Sequence, residues 1–239
     1  MKTLSIVIPC YNEAATLTPC LERVLTLKSR TLALDVIIVN DGSTDGSAEL
    51  AIALAKQHPQ VRCLDLPKNT GKGAAVRMGF AAARGDFVVV QDADLEYDPA
   101  DLKRLLAPLL NDTADVVLSS RFAGSDVHRV MYYWHSVGNR VLTTLSNMCT
   151  DLNLTDMESG YKIFSRAIVQ ELLPRLTSDR FGFEPEVVAH CGRLAKQGHC
   201  RIYEVGVSYR GRTYAEGKKI GVRDGVAAVW SILKYNLWT

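Results

Sequence analysis

The sequence has 239 residues, of which 47% are hydrophobic and 23% are charged, and its formal net charge is +2. This length and composition suit one globular domain with a full core, and the nearly balanced charge argues against a nucleic-acid partner. None of the six cysteines lies in a C-x-x-C pair, and the five histidines lack ligand spacing. We therefore expect reduced thiols in a cytoplasmic protein rather than disulfides or a zinc site.

Short apolar runs alternate with helical patterns through the first half of the chain. The apolar runs predict strands at residues 4–8, 36–39, 61–66, 87–90 and 116–118. The spacing between them predicts helices at residues 16–27, 47–58, 73–83 and 99–110, the last with Asp98 as its N-cap. This alternation is typical of the α/β class, with a mostly parallel sheet flanked by helices.

The second half alternates less regularly. Residues 128–149 form one long helical pattern, and residues 162–173 predict a strand followed by a helix. A helix near residues 184–196, a strand at 201–207, a glycine- and charge-rich loop at 209–221 and a final helix complete the chain. Because no repeat or linker interrupts the pattern, we expect residues 1–239 to form a single domain.

Polar side chains follow four of the predicted strands. In parallel α/β sheets, ligands bind outside the carboxyl ends of the strands. The polar segments are residues 9–13, 40–46, 91–96 and 119–122. Together they place several acids and Arg121 at one edge of the sheet, which is the arrangement of an active site.

Asp92-Ala93-Asp94 directly follows the predicted strand at residues 87–90. A bare D-x-D motif is weak evidence for a metal site, so the stronger evidence is its position at the end of a strand. Hard divalent cations bind carboxylate oxygens together with substrate phosphates. The position predicts Mg²⁺ or Mn²⁺ bound by Asp92 and Asp94, with Glu96 as a further ligand. A solvated turn that leads into the next helix is the alternative.

The segment at residues 41–46 also follows a strand. Its ordinary interpretation is a strand-to-helix turn, in which Ser43 or Thr44 caps the next helix. Asp41, at the strand tip, would then be left free to accept hydrogen bonds from a ribose or a base edge.

Four motifs of the first half resemble the inverting family-2 glycosyltransferases with the GT-A fold. They are IVIPCYNE at residues 6–13, VNDGSTDG at 39–46, KNTGKG at 68–73 and DAD at 92–94. The resemblance implies that four residues hold the nucleoside, namely Pro9, Tyr11, Glu13 and Asp41. It also implies that Asp92, Ala93 and Asp94 hold the diphosphate and the metal ion.

Three segments of the second half resemble the polyprenyl-phosphate branch of that family, which includes dolichyl-phosphate mannose synthase. They are TDMESGYK at residues 155–162, RFGFEPE at 180–186 and GRTYAEGKKIG at 211–221. The resemblance implies transfer of one sugar from GDP-mannose or UDP-glucose to a dolichyl or undecaprenyl phosphate. Asp94 and Arg121 would be catalytic, with Arg121 at the acceptor phosphate, and Arg212 and Lys218 would close over the phosphates.

A lipid phosphate acceptor shapes the expected mechanism and the expected division of the chain. A phosphate monoester has a second pKa of about 6, so the acceptor is largely dianionic and needs no strong general base.

We expect residues 1–122 to bind the nucleotide sugar, residues 123–239 to form the acceptor side, and residues 209–221 to act as a lid. Four acids are expected to be structural partners of the arginines: Asp156, Glu158, Glu184 and Glu186.

No segment approaches the roughly 20 apolar residues that a bilayer span requires. Many members of the polyprenyl-phosphate branch carry C-terminal transmembrane helices, and the apolar pattern of residues 1–239 predicts none. We therefore expect peripheral attachment at the cytoplasmic face of a membrane, through the helix at residues 128–149, through the amphipathic C-terminal helix, or through a membrane-embedded partner. Packing of both helices into the core is the alternative.

Two other functions stay open at this point. One is a family-2 glycosyltransferase that acts on a soluble sugar or a protein. The other is a non-enzymatic binder of sugar nucleotides, against which the intact Asp92, Asp94 and Arg121 argue.

Overall fold

The central strands of this protein are rich in β-branched residues and are buried on both faces, as strands covered by helices must be. The computed structural model describes residues 1–124, 129–211 and 222–238. The strands are β1 (Lys2–Cys10), β2 (Leu32–Asp41), β3 (Val61–Leu66), β4 (Phe87–Val90), β5 (Val116–Ser120), β6 (Lys162–Ser165) and β7 (Ile202–Gly206). The helices are α1 (Leu17–Leu25), α2 (Ser47–Gln57), α3 (Lys72–Ala82), α4 (Leu102–Leu110), α5 (Tyr133–Thr150), α6 (Arg166–Leu172), α7 (Phe183–Lys196) and α8 (Val222–Leu237).

All seven strands form one sheet in the order β3-β2-β1-β4-β6-β5-β7. Neighbouring strands are parallel except at β6, which is antiparallel to both β4 and β5. Strands β6 and β7 come from the second half of the chain, so both halves build the same sheet. The predicted α/β class with one domain is therefore confirmed.

Side chains alternate between two cores, one on each face of the sheet. Ile6 and Ile38 point to the core that α1, α2 and α4 cover. Val7 and Ile37 point to the opposite core, which α3, α6 and α7 cover. This alternation follows from the two-residue period of a strand. The helices on both faces leave the carboxyl ends of the strands open as a binding edge.

The helix predicted at residues 128–149 begins later in the structure than expected. Residues 129–132 are not helical, and α5 begins at Tyr133. The backbone amide of Arg129 instead donates to the carbonyl oxygen of Tyr209, at 3.0 Å. The segment before α5 is therefore held beside the binding edge rather than in the helix. Asp98 is an N-cap as predicted, since its Oδ1 accepts from the amide of Ala100, but it caps a short 3-10 helix (Pro99–Asp101) that precedes α4.

The exposed side of α5 carries an apolar stripe, while Leu142, Leu145 and Cys149 of the same helix pack against the core. Thr143, Ser146 and Thr150 are the buried residues of this helix. The apolar residues at heptad spacing are exposed instead: Trp134 to 78%, Val141 to 60% and Met148 to 78%. No helix within the described ranges is both long enough and apolar enough to cross a bilayer.

Candidate active site

The carboxylate of Asp41 is buried at the end of β2 and holds the loop that follows β3. Its Oδ1 accepts a hydrogen bond from the amide of Thr70 at 2.7 Å. Its Oδ2 accepts from the amide of Gly71 at 2.9 Å and from Asn69 Nδ2 at 3.0 Å. The expectation that Asp41 is left free is therefore wrong, because three donors brought by a distant loop already occupy it.

The segment after β1 is bound to the turn after β2. The amide of Asn12 donates to Ser43 Oγ at 3.1 Å, and the amide of Thr44 donates to Asn12 Oδ1 at 2.8 Å. Ser43 and Thr44 therefore join two strand ends, and neither caps α2, whose N-cap is Gly46. The predicted helix cap is wrong because these two residues contact Asn12.

The predicted nucleoside-binding residues lie on this edge of the sheet. Pro9 pairs with Val39 in the register of β1 and β2, and Tyr11 is 40% exposed just beyond it. Glu13 donates its amide to Ser47 Oγ at 2.9 Å, and its Oε2 accepts from Thr16 Oγ1 at 2.7 Å. The strand ends therefore bring Pro9, Tyr11 and Glu13 to the same edge as Asp41.

Asp92 is paired with a lysine that the sequence motifs contain without a role assigned to it. Lys72 Nζ lies 2.9 Å from Asp92 Oδ1 and 3.0 Å from Glu184 Oε1. Burial opposes the charge of Lys72, but the carboxylates of Asp92 and Glu184 outweigh it and raise the pKa of the lysine. Burial alone would likewise raise the pKa of Glu184, yet Lys72 and Lys162 hold it below its usual value. All four side chains therefore share one ionic cluster.

The turn after β4 separates the three predicted metal ligands. Leu95 has a φ of 63°, which non-glycine residues rarely adopt. Asp94 Oδ1 accepts a hydrogen bond from the amide of Glu96 at 3.1 Å, and Glu96 Oε2 accepts from the hydroxyl of Tyr209 at 2.8 Å. The hydroxyl of Tyr209 thus holds the carboxylate of Glu96.

The carboxylates at this turn can hold a metal ion only if oxygens of the substrate supply further ligands. Among the residues that the structure describes, no group of three His, Cys, Asp or Glu side chains could hold a metal ion. Asp92, Asp94 and Glu96 therefore do not form the three-ligand set that the sequence predicts. Asp92 and Asp94 still fit Mg²⁺ or Mn²⁺, which bind one or two carboxylates and take their other ligands from phosphates and water.

Arg121 is fixed by Asp156 after β5. Arg121 Nε lies 2.7 Å from Asp156 Oδ2, and Nη2 lies 2.8 Å from Oδ1. The guanidinium also lies 5.2 Å from the ring centroid of Tyr209. The prediction that Asp156 is a structural partner of Arg121 is confirmed by this fork geometry.

A basic cavity opens beside Arg121. It has a volume of about 220 Å³ and is lined by three arginines, so we name it the arginine cavity. Its lining residues are Arg121, Phe122, Arg129, Val130, Met131, Ser136, Arg140 and Tyr209. The sequence patterns did not single out Arg129 or Arg140, because nothing local distinguishes them from ordinary surface residues, and they included Tyr209 only as the first residue of the predicted lid. A larger cavity, about 430 Å³, lies at the opposite edge of the sheet and contains none of the site residues.

Tyr209 connects the two sides of the site. Besides its contacts with Glu96 and Arg121, it forms an isolated antiparallel bridge with Tyr97. The amide of Arg210 donates to the carbonyl oxygen of Glu96 at 2.9 Å. The beginning of the predicted lid is therefore anchored to the turn that carries Asp92 and Asp94. Arg212 and Lys218 lie outside the described residues.

The sequence comparison assigns the chain to a family. The profile described as Glycosyl transferase family 2 matches residues 5–173, which is more than half of the chain. The chain belongs to glycosyl transferase family 2. The predicted family and the predicted class of enzyme, a glycosyltransferase, are therefore confirmed.

Relatives in the family have names that refer to polyprenyl phosphates. The undecaprenyl-phosphate mannosyltransferase of Micrococcus luteus is 31% identical over 99% of both chains. The dolichyl-phosphate β-glucosyltransferase ALG5A of Trichomonas vaginalis is 31% identical over 98% of this chain and 73% of the relative. ALG5C of the same organism is 30% identical over 86% of this chain, and the match spans only 63% of that relative.

A solved structure of similar fold is glucosyl-3-phosphoglycerate synthase from Mycobacterium tuberculosis, in complex with Mn²⁺, UDP and glucosyl-3-phosphoglycerate. It has a TM-score of 0.72 and 23% sequence identity, over 98% of this chain and 80% of that chain. At this identity the likeness concerns the fold alone, and it confirms the predicted arrangement of sheet and helices.

The remaining acids of this family-2 transferase have separate structural roles. Glu186 Oε1 accepts from the amide of Thr177 at 2.8 Å, and its Oε2 accepts from the amide of Ser178 at 2.9 Å. Glu158 is partly buried, and within the described residues its buried Oε1 has no hydrogen-bond partner. Burial and the neighbouring Glu184 raise the pKa of Glu158 to about 7. Of the four acids, only Asp156 forms an ion pair with an arginine within the described ranges.

Proposed function

We propose that the protein is an inverting glycosyltransferase that moves one sugar from a nucleoside diphosphate sugar to a polyprenyl phosphate. The observation that carries this proposal is a site with two anion-binding sides. Asp92 and Asp94, which would bind the donor diphosphate through a metal ion, lie on one side, and the arginine cavity lies on the other. Tyr209 lines this cavity, and its hydroxyl donates to Glu96 in the turn that carries the two aspartates. The names of the relatives that match 30–31% of residues support a lipid phosphate as acceptor.

The donor is proposed to bind along residues 1–122. Pro9, Tyr11, Glu13 and Asp41 would hold the nucleoside, with Asp41 acting mainly through the loop that it orders. Asp92, Ala93 and Asp94 would hold the diphosphate and Mg²⁺ or Mn²⁺, and phosphate oxygens and water would complete the coordination of the ion. The bound ion would supply Lewis-acid stabilisation of the departing diphosphate.

The acceptor is proposed to bind on the side built by residues 123–239, next to Arg121. Its phosphate would lie in the arginine cavity, since guanidinium groups match phosphate oxygens in pairs. An oxygen of the phosphate forms a bond to the anomeric carbon while the bond from that carbon to the nucleoside diphosphate breaks. Attack opposite the leaving group inverts the anomeric configuration. A dianionic phosphate needs no base, so positioning and charge stabilisation account for catalysis.

The lid at residues 209–221 is proposed to close over both phosphates through Arg212 and Lys218. Its first residues support this proposal, because Tyr209 and Arg210 already contact Glu96. Protection of residues 212–221 from protease by donor and metal ion would support closure, and unchanged cleavage would count against it.

A lipid acceptor also requires contact with a bilayer. Helix α8 packs against α5 and α7, and both α5 and α8 expose apolar side chains. On α8 the exposed residues include Val226, Trp230 and Leu237. Tryptophan rings next to aliphatic side chains suit the interface between headgroups and acyl chains. We therefore propose peripheral attachment at the cytoplasmic face through these outer faces, with a membrane-embedded partner as the other possible anchor.

A panel of donors and acceptors tests the proposal. GDP-mannose and UDP-glucose are each incubated with Mn²⁺ or Mg²⁺ and a short-chain polyprenyl phosphate, 3-phosphoglycerate or a free sugar. We expect one sugar to be transferred to the polyprenyl phosphate, and EDTA to abolish the transfer. Product from a soluble acceptor alone would indicate the soluble alternative. Donor binding without transfer or hydrolysis would indicate a sugar-nucleotide binder.

A further inference from the structure

Lys72 faces both oxygens of Asp92 at nearly equal distances. Its Nζ lies 2.9 Å from Oδ1 and 3.1 Å from Oδ2, and 3.0 Å from Glu184 Oε1. The three side chains are mostly buried, so solvent and salt screen their charges weakly. An internal ammonium therefore already neutralises the carboxylate that the proposed metal ion would use.

A divalent cation that approaches Asp92 in the absence of donor meets two obstacles. The ammonium of Lys72 repels it, and the described carboxylates provide no group of three ligands. The diphosphate of a donor changes both conditions, because it brings further oxygen ligands and negative charge. Glu184 then offers Lys72 a carboxylate partner that does not depend on Asp92.

We propose that Lys72 is a positioning residue that neutralises Asp92 until the donor arrives, so that metal ion and nucleoside diphosphate bind cooperatively. The inference rests on the donor site of the proposed function and adds the residue that couples the binding of the metal ion there to the binding of the nucleoside diphosphate. Before donor binding, Lys72 is the counter-ion of Asp92. When Asp92 turns to the metal ion, Glu184 retains the ammonium. The coupling is reciprocal, so each ligand strengthens the other by the same factor.

Mn²⁺ binding to the full chain tests this role without measuring turnover. Free Mn²⁺ is followed by electron paramagnetic resonance, with no nucleotide, with UDP and with GDP. For Lys72→Met we expect Mn²⁺ alone to bind at least about tenfold more tightly than to the wild type, with a similar loss of coupling to nucleotide. Lys68→Met changes an exposed lysine in the loop that precedes α3 and serves as the matched control, with wild-type behaviour. Equal Mn²⁺ affinity of wild type and Lys72→Met without nucleotide would overturn the proposal.

Two further variants assign the effect to this cluster. Adding Asp92→Asn to Lys72→Met should abolish the gained Mn²⁺ affinity, and a retained gain would overturn the role of Asp92. Glu184→Gln leaves Lys72 with Asp92 as its remaining carboxylate partner among the described residues. We expect it to weaken Mn²⁺ binding about tenfold when nucleotide is present, and this variant keeps the proposal testable if Lys72→Met does not fold. Unchanged binding in Glu184→Gln would count against the proposal.

The same titrations separate this inference from the proposed function. A wild-type protein that binds neither nucleotide nor Mn²⁺ under any condition would contradict the donor site itself. A wild-type protein that binds both ligands, with binding that Lys72→Met does not change, would overturn only the role of Lys72.

Discussion

Asp156 holds Arg121 at three points. Its carboxylate accepts from Arg121 Nε at 2.7 Å, from Nη2 at 2.8 Å and from the backbone amide of the same residue at 3.0 Å. The carboxylate thereby sets the plane of the guanidinium that lines the arginine cavity. Arg121 also contacts the ring of Tyr209, which binds Glu96. Contacts through Arg121 and Tyr209 therefore link the proposed acceptor side to Glu96 on the proposed donor side.

Asp156→Asn should damage both stability and turnover. Removing one charge of a buried ion pair leaves the other uncompensated, so we expect a loss of about 3 kcal/mol in the free energy of unfolding. A misplaced Arg121 should lower kcat about 100-fold. Urea unfolding and steady-state kinetics measure the two effects. Wild-type turnover in a correctly folded Asp156→Asn would show that the orientation of Arg121 is unimportant.

Asp94→Ala and Arg121→Ala should separate donor binding from turnover. Asp94→Ala removes a proposed metal ligand and should weaken metal-dependent donor binding about 100-fold. Arg121→Ala should lower kcat while donor affinity changes little, because Arg121 faces the arginine cavity. Calorimetric titration with donor and Mn²⁺ measures the donor affinity of each variant, and steady-state kinetics measures its kcat. Similar losses of donor affinity in both variants would contradict this division.

Arg140→Gln should affect the acceptor alone. The side chain lines the arginine cavity, and a hydrogen bond to a charged group contributes about 1.5–3 kcal/mol. We therefore expect the KM for polyprenyl phosphate to rise about tenfold or more, with an unchanged KM for the donor. Arg30→Gln, at an exposed position outside the site, is the matched control. A parallel rise in both KM values would point to a general loss of structure.

Glu158→Gln should change how stability depends on pH. Burial and Glu184 raise the pKa of Glu158 from 4.5 to about 7, while Lys162 and Arg121 oppose the shift and Asp156 adds to it. Between pH 4.5 and 7 the folded protein therefore holds a proton that the unfolded chain releases, so stability falls as pH rises through this window.

The glutamine variant lacks this titration. The difference in the free energy of unfolding, Glu158→Gln minus wild type, should be higher at pH 8 than at pH 4 by about 1–3 kcal/mol. Urea unfolding at both pH values measures this difference. Glu158→Asp, which keeps the carboxyl group, should retain a pH dependence of the same sign. An identical dependence in wild type and Glu158→Gln would assign the titration to another group.

The outer faces of α5 and α8 should mediate attachment to lipid. We expect the purified chain to float with anionic liposomes, and Trp134→Ser with Trp230→Ser to reduce the bound fraction about tenfold. Ile52→Ser on α2 removes an exposed apolar residue from another surface and is the control. Recovery of the wild type only in the protein fraction would contradict direct attachment and favour a partner protein.

Local sequence patterns were sufficient for the elements and for the edge that carries the site. A run such as Val36–Val39 is apolar at every position, which specifies a buried parallel strand without information from elsewhere in the chain. Asp92, Asp94 and Arg121 were found because polar residues at strand ends meet at one edge. The boundaries of α5 were less predictable, since the pairing of Arg129 with Tyr209 ends the helix pattern before Tyr133.

The partners of the site residues were beyond local patterns. Asp41 was expected to be free, yet its donors lie 28 to 30 residues away in the loop after β3. The same limitation applies to α5, whose apolar positions were visible in the sequence while the direction of each was not: Leu145 packs against the core and Trp134 is exposed. Periodicity shows that a helix has two faces, and packing against the other helices decides which face is buried.

The sequence by itself determined the α/β class, the order of the motifs and the strand-end positions of Asp92, Asp94 and Arg121, because these depend on nearby residues. Only the tertiary structure decided that Lys72 pairs with Asp92 and Glu184, that Glu96 is held by Tyr209, and that Arg129 and Arg140 share a cavity with Arg121. These contacts join segments that are distant in the chain. The folding of the sheet and helices brings their charges together, and no local pattern contains that information.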